Sequence, residues 1–139
     1  MDNLGTIVLI DDDDEDLEIF HYALAEMKLT NKILLFNDPD EVVSFMQTRK
    51  EHVFFILCDT SMPGIDPILL RSKIADIVSF SSLSVPFLYY STCASDHWLQ
   101  EHGLQTGRDY FVKPSSVYDI KAMFLTLIAH WKNYHLPAA

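Results

Sequence analysis

Asp11, Asp12, Asp59, Ser91 and Lys113 are the residues of this sequence whose types and placement could do chemistry. They follow apolar runs: Thr6-Ile7-Val8-Leu9-Ile10, Val53-Phe54-Phe55-Ile56-Leu57-Cys58, Pro86-Phe87-Leu88-Tyr89-Tyr90 and Tyr110-Phe111-Val112. Three carboxylates gathered on one rim repel one another; two unit charges roughly 5 Å apart at an effective dielectric near 20 cost about 3 kcal/mol. One lysine cannot neutralise three of them. A divalent cation can, and an all-oxygen site suits Mg²⁺, which keeps several waters and leaves room for a phosphate oxygen. A carboxylate can act as nucleophile toward phosphorus and form an acyl phosphate. The metal and Lys113 would then spread the charge of the transferring group, and Ser91 would donate a hydrogen bond to it.

The elements that must bring these residues together are legible from periodicity. The run ending at Ile10 is β-branched and continuous, so it reads as a buried strand. Leu17, Phe20, Leu24 and Met27 recur at helical spacing and predict a helix over about 14–28, with acids at its positive end. A second strand covers 32–36. Asp38-Pro39 is an N-cap followed by proline at the first helical position, opening a helix that ends near Lys50. The third strand stops at Asp59, Pro63-Gly64 marks a loop, and a helix is expected over about 66–80. A serine-rich connection from Ser79 to Ser84, a fourth strand ending at Ser91, a short helix over about 95–102 and a short fifth strand follow. Val117, Ile120, Phe124, Leu127, Ile128 and Trp131 form one stripe on the last helix. Five strand-then-helix units with apolar strands imply an α/β fold: a doubly wound parallel sheet covered on both faces. In such a sheet all carboxyl ends of the strands share one edge, and ligands bind there.

Composition narrows the classes of partner. The 139 residues are one domain's worth, so 1–139 is expected to be a single domain with no output domain. The formal net charge of −10 argues against nucleic acid and against an anionic membrane surface. No apolar run reaches the length of a membrane span, and the N-terminus lacks the features of a signal peptide, so the cytoplasm is the expected location. Cys58 and Cys93 read as small buried hydrophobes rather than a disulfide. The six histidines show no metal-ligand spacing. Asp13, Asp14, Glu15 and Asp16 read as solvated acids of a first helical turn.

Four stretches taken in order resemble a known family. Ile7-Val8-Leu9-Ile10-Asp11-Asp12-Asp13 is similar to the strand and acidic pair of response-regulator receiver domains. Asp59-Thr60-Ser61-Met62-Pro63-Gly64-Ile65-Asp66 resembles their phosphoacceptor aspartate and its loop. Pro86-Phe87-Leu88-Tyr89-Tyr90-Ser91 resembles the strand ending in the switch hydroxyl, and Gly107-Arg108-Asp109-Tyr110-Phe111-Val112-Lys113-Pro114 the last strand with its aromatic switch residue and Lys-Pro. The resemblance covers nearly the whole chain. It implies a flavodoxin-like (βα)5 fold of strand order 2-1-3-4-5, as in a single-domain receiver of two-component signalling.

By that resemblance Asp59 is the phosphoacceptor. Asp12 is a direct Mg²⁺ ligand, Asp11 acts mostly through bound water, and Asp59 and the backbone carbonyl of Ser61 complete the protein's share of the shell. Lys113 pairs with the phosphoryl group. Ser91 and Tyr110 move together and reshape the face of helix four, strand five and helix five. Lys113-Pro114 is expected to be cis. The phosphodonor is a histidine kinase or a histidine phosphotransfer protein, and a downstream protein reads the signal. The domain is not an enzyme beyond catalysing its own phosphorylation and dephosphorylation. Met123 and Leu125 on the last helix offer a surface for a partner or a homodimer.

The sequence departs from the family in places. Pro67 stands where glycine is usual, so the loop entering the third helix is expected to differ. Thr60 replaces a commonly aliphatic residue, Thr92 stands where a smaller one is common, and Ser61 and Cys93 occupy positions that tune hydrolysis of the acyl phosphate. Pro67 and Thr92 keep open an alternative, a receiver-like binding module that signals without phosphorylation. An aspartate-nucleophile phosphohydrolase is disfavoured because Ser61 stands where its general-acid aspartate would be. A dinucleotide-binding domain is disfavoured because no Gly-x-Gly-x-x-Gly follows the first strand.

Overall fold

A computed structural model describes residues 5–78, 85–92 and 96–135. Ten elements alternate along the chain: β1 (Thr6–Ile10), α1 (Asp14–Glu26), β2 (Ile33–Phe36), α2 (Pro39–Thr48), β3 (Val53–Asp59), α3 (Pro67–Val78), β4 (Phe87–Ser91), α4 (Asp96–Glu101), β5 (Tyr110–Val112) and α5 (Val117–His135). The strands form one parallel sheet in the order β2-β1-β3-β4-β5, as expected. The chain order reverses between β1 and β3, which makes the crevice beyond their carboxyl ends the natural ligand position. The expected connection at 79–84, Cys93 and the first residues of the chain lie outside the described residues.

Pleating divides the strand residues between two cores. Ile7 and Leu9 of β1, Phe55 and Leu57 of β3 and Leu88 and Tyr90 of β4 join Phe20 and Leu24 of α1 and Phe124 of α5. Val8 and Ile10, with Ile56 and Cys58, face α2 and α3 through Val42, Met46, Leu70 and Ile74. This alternation has period two, the mark of a strand buried on both sides. It is interrupted once. Thr6 pairs with Val53 but Ile7 pairs with Phe55, so Phe54 is an extra residue in β3. Phe54 and Phe55 consequently enter the same core, their ring centroids 5.0 Å apart. Gly5 lies beside this irregularity at φ 120°, and a Cβ there would stand 2.6 Å from the carbonyl oxygen of His52, so only glycine fits without a shift.

The helix starts follow local side-chain chemistry. Asp13 caps α1, accepting from the N–H groups of Glu15 and Asp16. Asp38 caps α2 ahead of Pro39. Asp66 does the same for α3, accepting from the N–H groups of Ile68 and Leu69 at 2.9 and 3.3 Å. Pro67 is therefore the first residue of α3, where its missing N–H costs nothing. The departure flagged in the sequence is thus accommodated as a helix start.

One expectation needs correction. No peptide bond among the described residues is cis, so Lys113-Pro114 is trans, the lower-energy isomer for an X-Pro bond. Of the two apolar residues singled out on α5, Met123 packs against the first core while Leu125 is exposed.

α1 ends without glycine. Lys28, just past the helix, takes φ 52°. A side chain in this left-handed region costs about 1 kcal/mol relative to glycine. Lys28→Gly should therefore stabilise the fold by roughly 0.5–1 kcal/mol. Urea unfolding should show this as a higher midpoint at an unchanged slope.

Candidate functional site

Strand parity decides which side chains meet at the carboxyl edge. Asp11 continues the series Ile7, Leu9; Asp59 continues Phe55, Leu57; Lys113 continues Phe111. All three therefore belong to the side of the sheet that α1 and α5 cover. Asp11 is fully buried, Asp59 nearly so, and Asp12 is exposed. These three residues offer carboxylate oxygens that lie within 4.8 Å of one another.

Every oxygen of the two buried carboxylates has a donor. Asp11 Oδ1 accepts the N–H of Asp13 at 3.0 Å. Asp11 Oδ2 takes two donors, the hydroxyl of Tyr90 at 2.7 Å and Lys113 Nζ at 2.9 Å. Asp59 Oδ1 accepts the N–H of Ser61 at 2.8 Å, and its Oδ2 accepts from Lys113 Nζ at 3.3 Å. Lys113 also donates to the carboxylate of Asp16, on the first turn of α1. Beneath it the Tyr90 ring lies with its centroid 5.3 Å from Nζ, a cation–π contact.

The strand ends are tied to one another through backbone groups. Thr60 N–H donates to the carbonyl of Tyr90 at 3.0 Å, and Lys113 N–H to that of Ser91 at 2.8 Å. The Ser91 hydroxyl is buried and lies 3.3 Å from that of Ser61. Tyr110 is buried, packs with Tyr89 and Leu99, and directs its hydroxyl to the Ser91 carbonyl at 3.4 Å. Thr92 is exposed beside this group.

The electrostatics follow from burial. Desolvation raises the Asp59 pKa; the Ser61 N–H and the Lys113 charge offset only part of this, and the nearby Asp11 adds to it. Burial alone would lower the Lys113 pKa. The hydrogen bonds and charges of Asp16, Asp11 and Asp59 outweigh it and hold the ammonium above its ordinary value. Tyr90 is pushed up by burial and then by the Asp11 charge, so it stays a phenol that donates. Burial, followed by Asp59 and Asp11, raises Cys58 as well, leaving an unreactive thiol.

The expected residues Asp11, Asp12, Asp59 and Lys113 are thus brought together, with Ser61, Ser91 and Tyr110 beside them. Two participants were missed. Asp16 is not a merely solvated acid, because it binds Lys113. Tyr90, named only as part of the fourth strand, also reaches the site, because its hydroxyl holds Asp11. Parity was the available signal for Tyr90, which shares its side of the sheet with Leu88.

The donor set fits Mg²⁺. It is all oxygen, it draws its carboxylates from the ends of β1 and β3, and one of them is exposed to accept a hydrated ion. No helix among the described residues is long and apolar enough to cross a membrane.

No family model matches the chain. Among curated proteins it is similar to ARR21 of Arabidopsis thaliana, named as a two-component response regulator, at 23% identity over 128 residues. The match takes in 91% of this chain but spans only 19% of that relative's length. Solved structures share the fold. A response regulator of red light signalling in R. palustris superposes with a TM-score of 0.71 at 20% identity, covering 96% of this chain and 99% of that one. A CheY-like receiver domain protein of Methanospirillum hungatei gives 0.69 at 16% identity, covering 95% and 99%. The phosphorylated cyanobacterial phytochrome response regulator RcpA gives 0.67 at 19% identity, covering 96% of each chain.

Two consequences can be measured by unfolding. Since the native Asp59 carboxyl holds its proton more tightly than the unfolded one, its stabilising contribution is present at low pH and is lost as pH rises through the native pKa. Asp59→Asn should therefore raise the thermal midpoint by a few degrees at neutral pH in metal-free buffer. The gain should vanish on acidification toward the ordinary carboxyl range, and Mg²⁺ should stabilise the wild type but not the variant. Tyr90→Phe removes one donor from a buried charge and should cost about 1.5–3 kcal/mol in urea unfolding.

Proposed function

We propose that this chain, which has the receiver-domain fold of response regulators, accepts a phosphoryl group on Asp59 in two-component signalling. The observation that carries the reading is the grouping of Asp11, Asp12 and Asp59, with the Lys113 ammonium bridging the two buried carboxylates. An acid held at this edge with a cation beside it is suited to attack an incoming phosphorus and to have the resulting charge met at once.

Asp11, Asp12, Asp59 and the carbonyl of Ser61 would hold Mg²⁺, which supplies positive charge to the transferring oxygens when bound. A carboxylate oxygen of Asp59 forms the new O–P bond while the P–N bond to the donor histidine breaks. The imidazole leaves with the electron pair of that bond. Lys113 turns its ammonium from carboxylate to phosphoryl oxygen, and the Ser91 hydroxyl donates to another. Tyr110, already hydrogen-bonded to the Ser91 carbonyl, carries the movement to the surface of α4, β5 and α5. A histidine kinase or phosphotransfer protein is the donor and a downstream protein the reader. The domain turns over nothing but its own acyl phosphate and works in the cytoplasm.

The alternative, a binding module indifferent to phosphorylation, has lost one of its supports, since Pro67 is an ordinary helix start. Intact-mass analysis after incubation with acetyl phosphate and Mg²⁺ separates the two. The expected result is a gain of one phosphoryl group, absent in Asp59→Asn and without Mg²⁺. A folded protein that gains none, and whose partner binding ignores Asp59→Asn, would establish the binding module instead.

A further inference from the structure

Lys113 is divided among three carboxylates, and Asp16 is the one that stands outside the group able to hold a metal. The three are not equally easy to release. Asp11 is fully buried and shares its Oδ2 with Tyr90, so parting it from the ammonium would strand a charge away from water. Asp59 is the proposed acceptor, and its contact with Nζ is the longer of the two distances to buried acids, 3.3 Å against 2.9 Å. The Asp16 side chain is about one-third exposed, 32%, and can rehydrate where it is. Asp16 also belongs to the first turn of α1, where the helix dipole and the capped N-terminus already favour a negative charge.

We propose that Asp16 is a positioning residue: it holds the Lys113 ammonium over Asp59 in the unphosphorylated protein and is the partner given up when a phosphoryl group takes its place. This inference rests on the reading of Asp59 as phosphoacceptor and adds to it the exchange that sets how tightly the phosphoryl group is held. The carboxylate competes with the phosphoryl oxygens for one cation, so Asp16 weakens their capture. Removing its charge leaves the ammonium with two partners and a free donor aimed at the site.

The test titrates beryllofluoride, a phosphoryl mimic, into the full chain at saturating Mg²⁺, followed by fluorine NMR. The expected result is that Asp16→Asn binds the mimic roughly three- to tenfold more tightly than wild type, while Asp16→Glu, which keeps the charge, stays within about twofold. A merely structural role for Asp16 would not move the Lys113 Nζ resonance selectively. That resonance should shift between wild type and Asp16→Asn in the free proteins and coincide in the two beryllofluoride complexes. Asp16→Ser provides a second neutral variant, with the amide spectrum as the check on folding. Equal or weaker binding by the folded neutral variants, with wild type binding normally, overturns the exchange alone. A folded wild type that takes no beryllofluoride overturns the phosphoacceptor reading and the exchange with it.

Discussion

The placement of one ammonium governs the carboxyl edge of this fold. A parallel sheet buried on both faces delivers its strand ends into a low-dielectric environment, and here two of those ends are aspartates with almost no access to water. Two carboxylates so close together and so far from water need a cation between them. Lys113 arrives from the strand furthest from β1 along that side of the sheet and satisfies both, and it is held up by the Tyr90 ring. The arrangement is therefore a set of opposed costs. Asp59 is destabilised by burial, Asp11 is stabilised by three donors, and Lys113 is bound more firmly than a lysine ordinarily is.

Asp11 and Asp59 differ in their capacity for chemistry for the same reason. Asp11 has its Oδ2 occupied by two donors, so only its Oδ1 retains a free lone pair direction. Asp59 accepts one bond on each oxygen and keeps capacity on both. The two acids are the same residue type at equivalent strand ends, and their neighbours alone set their environments apart.

Much of this was readable in the sequence. Continuous apolar runs interrupted by capped helices identified a doubly wound sheet, and the strand order followed from the resemblance. Residues that terminate strands could be assigned to the rim because all strand ends of a parallel sheet share an edge. Three kinds of information were beyond that reasoning. Asp16 lies in a run of acids whose members look alike until the helix start fixes which one points inward. Tyr90 reads as one more apolar strand residue until the fold brings its hydroxyl to Asp11 at the end of β1. The isomer of Lys113-Pro114 depends on how the β5–α5 loop closes, which the local sequence biases without deciding. Helix ends differed from expectation by a residue or two, since the final turn is set by capping geometry more than by periodicity.

The extra residue at Phe54 has a consequence for precision. An irregularity in a sheet must be absorbed somewhere, and here it falls at the amino end of β3, against Gly5, on the opposite edge from the aspartates. From Ile56 onward β3 keeps unbroken registration with its neighbours on both sides, through Cys58 opposite Ile10 and Asp59 opposite Tyr90. Like slack taken up at the anchored end of a ruler, the mismatch is spent where no chemistry depends on ångström tolerances.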